Sequence, residues 1–95
     1  MIIKIRLFTV LREIANKKEE TLTFSNDQAI SIKTVLERLD EKYGKEFYNY
    51  VYEPKTGQVK GFLQFLVNGI TAINGLETKL KDGDLLAILP PIGGG

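Results

Sequence analysis

A chain of 95 residues, with 43% hydrophobic and 26% charged positions, has the size and composition of one small globular domain. A domain of this size hides only about two-thirds of the surface of its unfolded chain, which leaves little room for a deep catalytic cavity. Because the chain contains no cysteine and no histidine, thiolate nucleophiles, zinc–thiolate sites and Ser-His-Asp triads are excluded. We therefore expect no enzyme activity and no bound metal of its own.

The net charge is +1, from 13 basic and 12 acidic residues. Binding to nucleic acid or to an anionic membrane normally requires a basic excess, so we expect neither as a direct partner. Lys4 and Arg6 interrupt the apolar N-terminal run, which therefore lacks the continuous stretch of a signal peptide or a membrane helix. These features predict a cytoplasmic protein.

The first part of the chain predicts two strands with a short helical turn between them. Residues 2–8 alternate between two faces, which carry Ile3, Ile5 and Leu7 on one side and Lys4, Arg6 and Phe8 on the other. Residues 10–15 favour the helical turn. Residues 21–24 are rich in β-formers and predict a second strand that pairs back on the first.

The main helix is predicted to begin after Ser31, a good N-cap residue, and to end at Gly44. Its apolar positions follow helical spacing and are Ile32, Val35, Leu36, Leu39 and Tyr43. A further short helix over 45–52 and a turn over 54–57 follow. The aromatic residues of this region are expected to close the end of a small core, and they are Tyr43, Phe47, Tyr48, Tyr50 and Tyr52.

The second half predicts a hairpin and a final strand. Strands over 62–67 and 70–73 flank Asn68-Gly69, a pair that tolerates positive φ and favours a tight turn. A loop over 74–84 leads to a strand over 85–89, which Pro90 and Pro91 end. Asp82 and Asp84 surround a glycine and are expected to form a turn rather than a metal site. The predicted order is β-β-α-β-β-β.

One helix can cover only one face of a sheet, so this order predicts an α+β domain in which a mixed sheet of four or five strands packs on one main helix. The best fit is a β-grasp, or ubiquitin-like, fold. Its first and last strands would lie side by side and parallel at the centre of the sheet. We expect one domain over 1–95, with a folded core over 1–89 and a flexible, extended glycine tail over 90–95.

The tail combines two prolines, which favour an extended exit from the sheet, with three residues that lack a Cβ. A glycine end can pass through a channel too narrow for side chains, and it presents an unhindered α-carboxylate. A simple frayed terminus is the alternative interpretation. The tail residues are Pro90, Pro91, Ile92, Gly93, Gly94 and Gly95.

Three stretches occur in the order seen in one known family: LFTVLRE at 7–13, FLVNG at 65–69 and LKDGDLLAILPPI at 80–92, before the terminal glycines. On these residues the chain resembles the MoaD/ThiS family of ubiquitin-like sulfur carriers, and most closely the small subunit of molybdopterin synthase. It departs from the family pattern in a third glycine before the end and in a longer segment over 44–61 than compact bacterial members have.

The resemblance implies a reaction cycle that other proteins perform on Gly95. An E1-like enzyme would use ATP to adenylate its carboxylate, and a sulfur donor protein would convert the adenylate to a thiocarboxylate. The thiocarboxylate would then deliver its sulfur to the precursor held by the large subunit of molybdopterin synthase, in molybdenum cofactor biosynthesis. The chain itself would hold no permanent cofactor, and the tail from Pro90 to Gly94 would enter the partner's active site.

Strand alternation also predicts a partner surface. Gln64 is the polar member of its strand, which indicates that Leu66 faces outward and is exposed while Leu63, Phe65 and Val67 face the helix. The same reasoning on the other strands completes an apolar patch beside the tail, formed by Phe8, Leu66, Leu85 and Leu89.

Other functions stay open at this point. A related carrier could serve tRNA thiolation or thiazole synthesis, the tail could be joined to lysines as a protein modifier, or the domain could be a simple interaction module. Arg12 and Glu13 match the family stretch, but we expect them to cap or salt-bridge a turn. Residues 17–20 predict a solvated, mixed-charge turn.

Overall fold

The computed structural model describes residues 1–91, so the part of the predicted tail formed by Ile92, Gly93, Gly94 and Gly95 lies outside the described residues. The strands are β1 (Ile2–Leu7), β2 (Glu19–Thr23), β3 (Ile30–Ser31), β4 (Gln64–Val67), β5 (Ile70–Thr71), β6 (Lys79–Leu80) and β7 (Leu85–Leu89). The helices are α1 (Thr9–Ala15), α2 (Ile32–Tyr43), α3 (Lys45–Val51) and a 3-10 turn at Gly75–Glu77.

The main sheet has five strands in the order β2-β1-β7-β4-β5. β1 and β7 come from opposite ends of the described chain and pair in parallel, with Lys4 opposite Leu85 and Leu7 opposite Ile88. β2, β4 and β5 pair with antiparallel neighbours. This mixed sheet confirms the predicted β-grasp fold with its parallel strands at the centre.

The α2 helix covers one face of the sheet and begins as its sequence predicts. The Ser31 side chain accepts a hydrogen bond from the Thr34 backbone N–H, and the Thr34 side chain accepts one from the Ser31 backbone N–H. Both hydrogen bonds of a capping box are therefore present. Ile32, Val35, Leu36 and Leu39 are fully buried against the sheet. Among the residues described, no helix has the length and hydrophobicity needed to cross a membrane.

The predicted boundaries differ from the observed ones at several strand ends. β1 ends one residue earlier than expected because Phe8 is the N-cap residue of α1. The strand expected over 62–67 starts at Gln64, and the one expected over 70–73 ends at Thr71. The stretch over 74–84 was expected to be a loop, but it contains the 3-10 turn and β6. β6 pairs with the unpredicted β3, and two-residue strands are too short to show alternation.

A buried carboxylate joins β2 to the end of α2, in a segment predicted to be a solvated turn. Glu20 is only 4% exposed. Its carboxylate lies 2.8 Å from Lys42 Nζ and 3.5 Å from Lys17 Nζ. It also accepts hydrogen bonds from the Tyr43 hydroxyl and from the Thr21 backbone N–H. The prediction was wrong because β2 begins at Glu19 and directs the next side chain inward.

Burial by itself raises the pKa of Glu20. The opposing effects are larger: Lys42 acts through its hydrogen bond and its charge, and Tyr43 and Thr21 act through their hydrogen bonds. Together they lower the pKa from 4.5 to about 2. A carboxylate whose pKa is lower in the folded protein stabilises the fold at pH values above its pKa in the unfolded chain. This stability is lost as the pH falls from about 4.5 to about 2. This change in the pKa of Glu20 corresponds to about 3 kcal/mol.

We expect Glu20→Gln to lower the free energy of unfolding at pH 7 by about 2 kcal/mol and to flatten its acid dependence. Urea denaturation at a series of pH values between 7 and 2 measures both effects. Glu19→Gln is the matched control, because the ion pair of Glu19 with Arg6 is partly exposed and contributes little. Parallel pH profiles for the native protein and Glu20→Gln would contradict this assignment.

The turn between β4 and β5 is tied to the start of β7 by side-chain hydrogen bonds. Asn68 and Gly69 have φ values of 52° and 82°, the left-handed conformation that the sequence predicted for this turn. Asn68 Nδ2 donates to Asp84 Oδ1 at 2.9 Å, and Asn68 Oδ1 accepts from the Leu85 backbone N–H at 2.9 Å. Asp82 accepts from the backbone N–H of Ile2. Both aspartates therefore hold the strand ends in place, as acceptors of hydrogen bonds.

Replacing Asn68 with alanine removes two hydrogen bonds and the side chain best suited to its positive φ. We expect Asn68→Ala to lower the free energy of unfolding by about 1–3 kcal/mol, measured by urea denaturation. Asn74→Ala is the matched control, because Asn74 has negative φ and its side chain caps no helix. Equal stability of the two variants would show that the Asn68 network contributes nothing.

Candidate functional site

The last strand leads the chain to the predicted tail. β7 ends at Leu89, and Pro90 and Pro91 follow outside the sheet because proline has no N–H to donate to a neighbouring strand. Both prolines are half-buried, so the chain still touches the domain at Pro91. The remaining predicted site residues, Ile92 to Gly95, lie outside the described residues. The observed part of the site is therefore the surface that surrounds the end of β7.

The side chains of β7 divide between two faces of the sheet. Leu86 and Ile88 are buried against α2, with exposures of 0% and 1%. Leu85, Ala87 and Leu89 point to the opposite face and are half-buried. We call this opposite side of the sheet the open face. The phase predicted from alternation is the phase observed.

The register brings the predicted patch residues together on the open face. Leu66 on β4 pairs with Ala87, which places it diagonally between Leu85 and Leu89. Phe8 follows Leu7, the partner of Ile88, and its extended backbone continues the strand direction towards the Leu89 end. All four predicted patch residues are half-buried. Leu66 is thus less exposed than expected, and it lies on the same face as the half-buried Leu85 and Leu89.

A basic rim borders this surface beside Phe8. Arg6, Arg12 and Lys18 line a shallow cleft of about 370 Å³ together with Phe8. Arg6 pairs with Glu19 at 3.2 Å, and both side chains of this pair are partly exposed. Of the two roles expected for Arg12 and Glu13, the salt bridge is absent within residues 1–91, whereas their backbone carbonyls accept the hydrogen bonds that close the end of α1. The Arg12 side chain lines the cleft.

Sequence reasoning missed this rim. Arg6 was placed on the same face as Phe8, which was a usable signal. Lys18 reaches the cleft only because β2 turns back beside β1, with Arg6 opposite Glu19, and no local pattern reports that pairing. Across residues 1–91, the acidic side chains form no group of three that could hold a metal ion. The site therefore offers an apolar surface, a cationic border and an exit for the chain end.

The two faces of the sheet should respond differently to truncation of a leucine. We expect Leu86→Ala to lower the free energy of unfolding by about 2–5 kcal/mol, because it leaves a cavity in the core. Leu66→Ala should cost less than about 1.5 kcal/mol, because the side chain is half-buried and water can fill the space. Thermal or urea unfolding measures both values, and equal losses would contradict the face assignment.

Comparison with known proteins gives the site a context. The sequence matches the model of the family described as the ThiS family over residues 5–95. A curated relative, small archaeal modifier protein 3 from Haloferax volcanii, is 28% identical in an alignment 97 positions long, which covers 100% of both chains.

Solved structures agree with the fold. The solution structure of small archaeal modifier protein 1 from Methanosarcina acetivorans has a TM-score of 0.80 and 33% identity, and it covers 99% of this chain and 96% of that one. A Pyrococcus furiosus protein named as molybdopterin converting factor subunit 1 has a TM-score of 0.74 over 97% of this chain and 99% of its own. Its identity is 20%, so this second likeness concerns the fold alone.

Proposed function

The chain belongs to the ThiS family of small ubiquitin-like carrier and modifier proteins, and we propose that it is a sulfur carrier whose reactive group is the α-carboxylate of Gly95. One observation carries the proposal: the central strand β7 ends at Leu89, and Pro90 and Pro91 follow it beside the half-buried apolar surface of the open face. A partner that holds this surface is well placed to receive the residues that follow.

The chemistry requires activation of a poor electrophile. In the proposed cycle an E1-like enzyme transfers AMP from ATP to the Gly95 carboxylate and releases pyrophosphate. A sulfur donor protein then supplies the sulfur that displaces AMP, which leaves a terminal thiocarboxylate. ATP is the substrate of the activating enzyme, and this chain has no permanent cofactor in the proposal. The residues Pro90, Pro91, Ile92, Gly93 and Gly94 would thread the partner's active site.

The surface described above provides the docking site in this proposal. Phe8, Leu66, Leu85 and Leu89 would be covered by the partner, and burial of such a half-exposed apolar surface favours association. The cationic border formed by Arg6, Arg12 and Lys18 would select a partner surface of opposite charge. Catalytic side chains would come from the partner, so the carrier acts as a non-catalytic subunit.

For the acceptor, we propose the precursor bound by the large subunit of molybdopterin synthase, with this chain as the small subunit. The stretches at 7–13 and 80–92 support this assignment through their resemblance to that subunit. The fold of the Pyrococcus furiosus protein is consistent with it.

A second candidate function is conjugation of the tail to lysine residues as a protein modifier. It is favoured by the Haloferax volcanii and Methanosarcina acetivorans relatives, which are both named as small archaeal modifier proteins. Both functions use an activated Gly95 carboxylate and differ only in the nucleophile that attacks it. The adenylation step is therefore tested first, and the acceptor second.

The first experiment is intact mass spectrometry of the protein after incubation with an E1-like enzyme, ATP and a sulfur donor. We expect a mass increase equal to the replacement of one oxygen by sulfur, and we expect no increase when Gly95 is deleted. Leu66→Asp should reduce the rate about tenfold, because it places a charge in the docking surface. Thr23→Asp is the matched control, since Thr23 lies on the edge strand β2, away from β4 and β7.

Failure of the host's own activating enzymes to charge the intact chain would overturn the carrier proposal. For the acceptor, the charged protein is mixed either with a molybdopterin synthase large subunit and its precursor or with host proteins. Sulfur transfer to the precursor supports the small-subunit assignment, whereas isopeptide bonds to lysine without such transfer support the modifier function.

A further inference from the structure

A second concave surface lies on the helical layer, away from the open face and from the end of β7. It has a volume of about 440 Å³, and we call it the helical groove. α2 contributes one side and the segment after α3 contributes the other. Its lining includes Glu37, Asp40, Tyr48, Tyr52, Leu76 and Glu77.

The segment over 52–60 gives the groove a fixed wall. Tyr52 and Val59 form an isolated antiparallel bridge. The Glu53 N–H donates to the Gln58 carbonyl at 2.7 Å, and the Lys60 N–H donates to the Val51 carbonyl at 2.8 Å. These bonds close the segment into an ordered loop. The stretch over 44–61, which is longer than in compact bacterial members of the family, therefore builds one side of a defined surface.

Tyr48 supplies an aromatic lining, because its side chain is half-buried while its stacking partner Tyr52 is buried. Tyr48 and Tyr52 stack with their ring centroids 4.7 Å apart and their planes at 21°. Gly57 lies next to this pair, at a φ of +73°, and a Cβ added there would come 3.9 Å from the Tyr48 hydroxyl. Leu76 adds an apolar contact at the other end of the lining. An aromatic surface with apolar neighbours favours a ligand that has a flat or hydrocarbon part.

The groove is also negatively charged. Glu37, Asp40 and Glu77 line it against one lysine, Lys33, and none of the three acids forms an ion pair within residues 1–91. Asp40 Oδ1 is buried and accepts no hydrogen bond from the described residues. Burial raises the pKa of Asp40, and the nearby charges of Glu37 and Glu41 raise it further. Three carboxylates against one lysine give the groove a negative potential, which favours a cationic group there.

We propose that the helical groove binds an arginine side chain presented by a partner protein. A guanidinium group is planar, stacks on an aromatic face and donates two parallel hydrogen bonds to a carboxylate. The groove offers the matching groups together: the ring of Tyr48, which rests on Tyr52, and the carboxylates of Glu37 and Asp40. A bare metal ion does not fit, because the acidic residues of the described chain form no group of three that could hold one.

This contact is separate from the proposed tail chemistry. α2 packs on the inner face of the sheet, and the docking residues Leu66, Leu85 and Leu89 lie on the opposite face. A partner arginine in the groove would therefore leave the open face and the end of β7 free. The domain would hold two proteins at once, one through the sheet and one through the helices.

The test is an NMR titration of the full chain with a blocked Gly-Gly-Arg-Gly-Gly peptide. We expect concentration-dependent shifts confined to the groove, at Glu37, Asp40, Tyr48, Gly57 and Glu77. The same peptide with citrulline, which has the same shape without the charge, should give no such shifts. A peptide with lysine should bind more weakly, because an ammonium group neither stacks nor pairs in two bonds.

Two variants test whether the carboxylates of the groove bind the arginine. Asp40→Asn and Glu37→Gln should each weaken binding of the arginine peptide about fivefold while the remaining spectrum stays that of the folded protein. Glu13→Gln is the matched control, because it removes the same charge from an exposed position on α1 outside the groove.

Equal shifts from the arginine and citrulline peptides would overturn the proposal, and so would equal weakening by Glu13→Gln. Equal binding of the lysine peptide would overturn the assignment to arginine. Since the readout does not involve the Gly95 carboxylate, none of these outcomes bears on the proposed carrier function.

Discussion

The parallel pairing of β1 with β7 is the constraint on which the rest of the structure depends. Parallel neighbours cannot be joined by a tight turn, so the whole chain between Leu7 and Leu85 has to cross from one end of the sheet to the other. α2 lies in that crossover and covers the inner face. β2 and β4 then fill the two positions on either side of the central pair.

The same pairing determines where the chain leaves the fold. β7 is held on both sides by hydrogen-bonded neighbours, so Leu89 has a defined position and the prolines start from it. Residues that follow a central strand emerge between the surfaces of its neighbours rather than at the edge of the sheet. In the proposed function this geometry gives a partner a rigid surface to bind and a defined point from which the glycine residues extend.

The two layers of the domain present different kinds of side chain on their outer surfaces. The open face is apolar and has a cationic border, whereas the helical groove is aromatic and acidic. Among the described residues the one buried charged residue is Glu20, and four groups compensate its carboxylate. In the two proposals made above, these surfaces of opposite charge would bind different partners.

Local patterns in the sequence were enough to predict the long elements, their buried faces and the fold. The alternation of β1, the capping residue Ser31 and the Asn68-Gly69 turn each depend on residues that are neighbours in the chain, and each has the predicted structure. Alternation also placed Leu66, Leu85 and Leu89 on one face, because β-strand side chains repeat every two residues. The glycine end is visible in the sequence itself, and the chemistry proposed for it rests on the family resemblance.

Contacts between distant residues determined the rest. β3 and β6 are strands only because Ile30 and Leu80 meet across 50 residues of chain, and Glu20 is buried only because α2 brings Lys42 and Tyr43 to it. The basic cleft and the helical groove likewise combine side chains from separate elements. Their positions depend on how the elements pack, and no periodicity within a single segment encodes that packing.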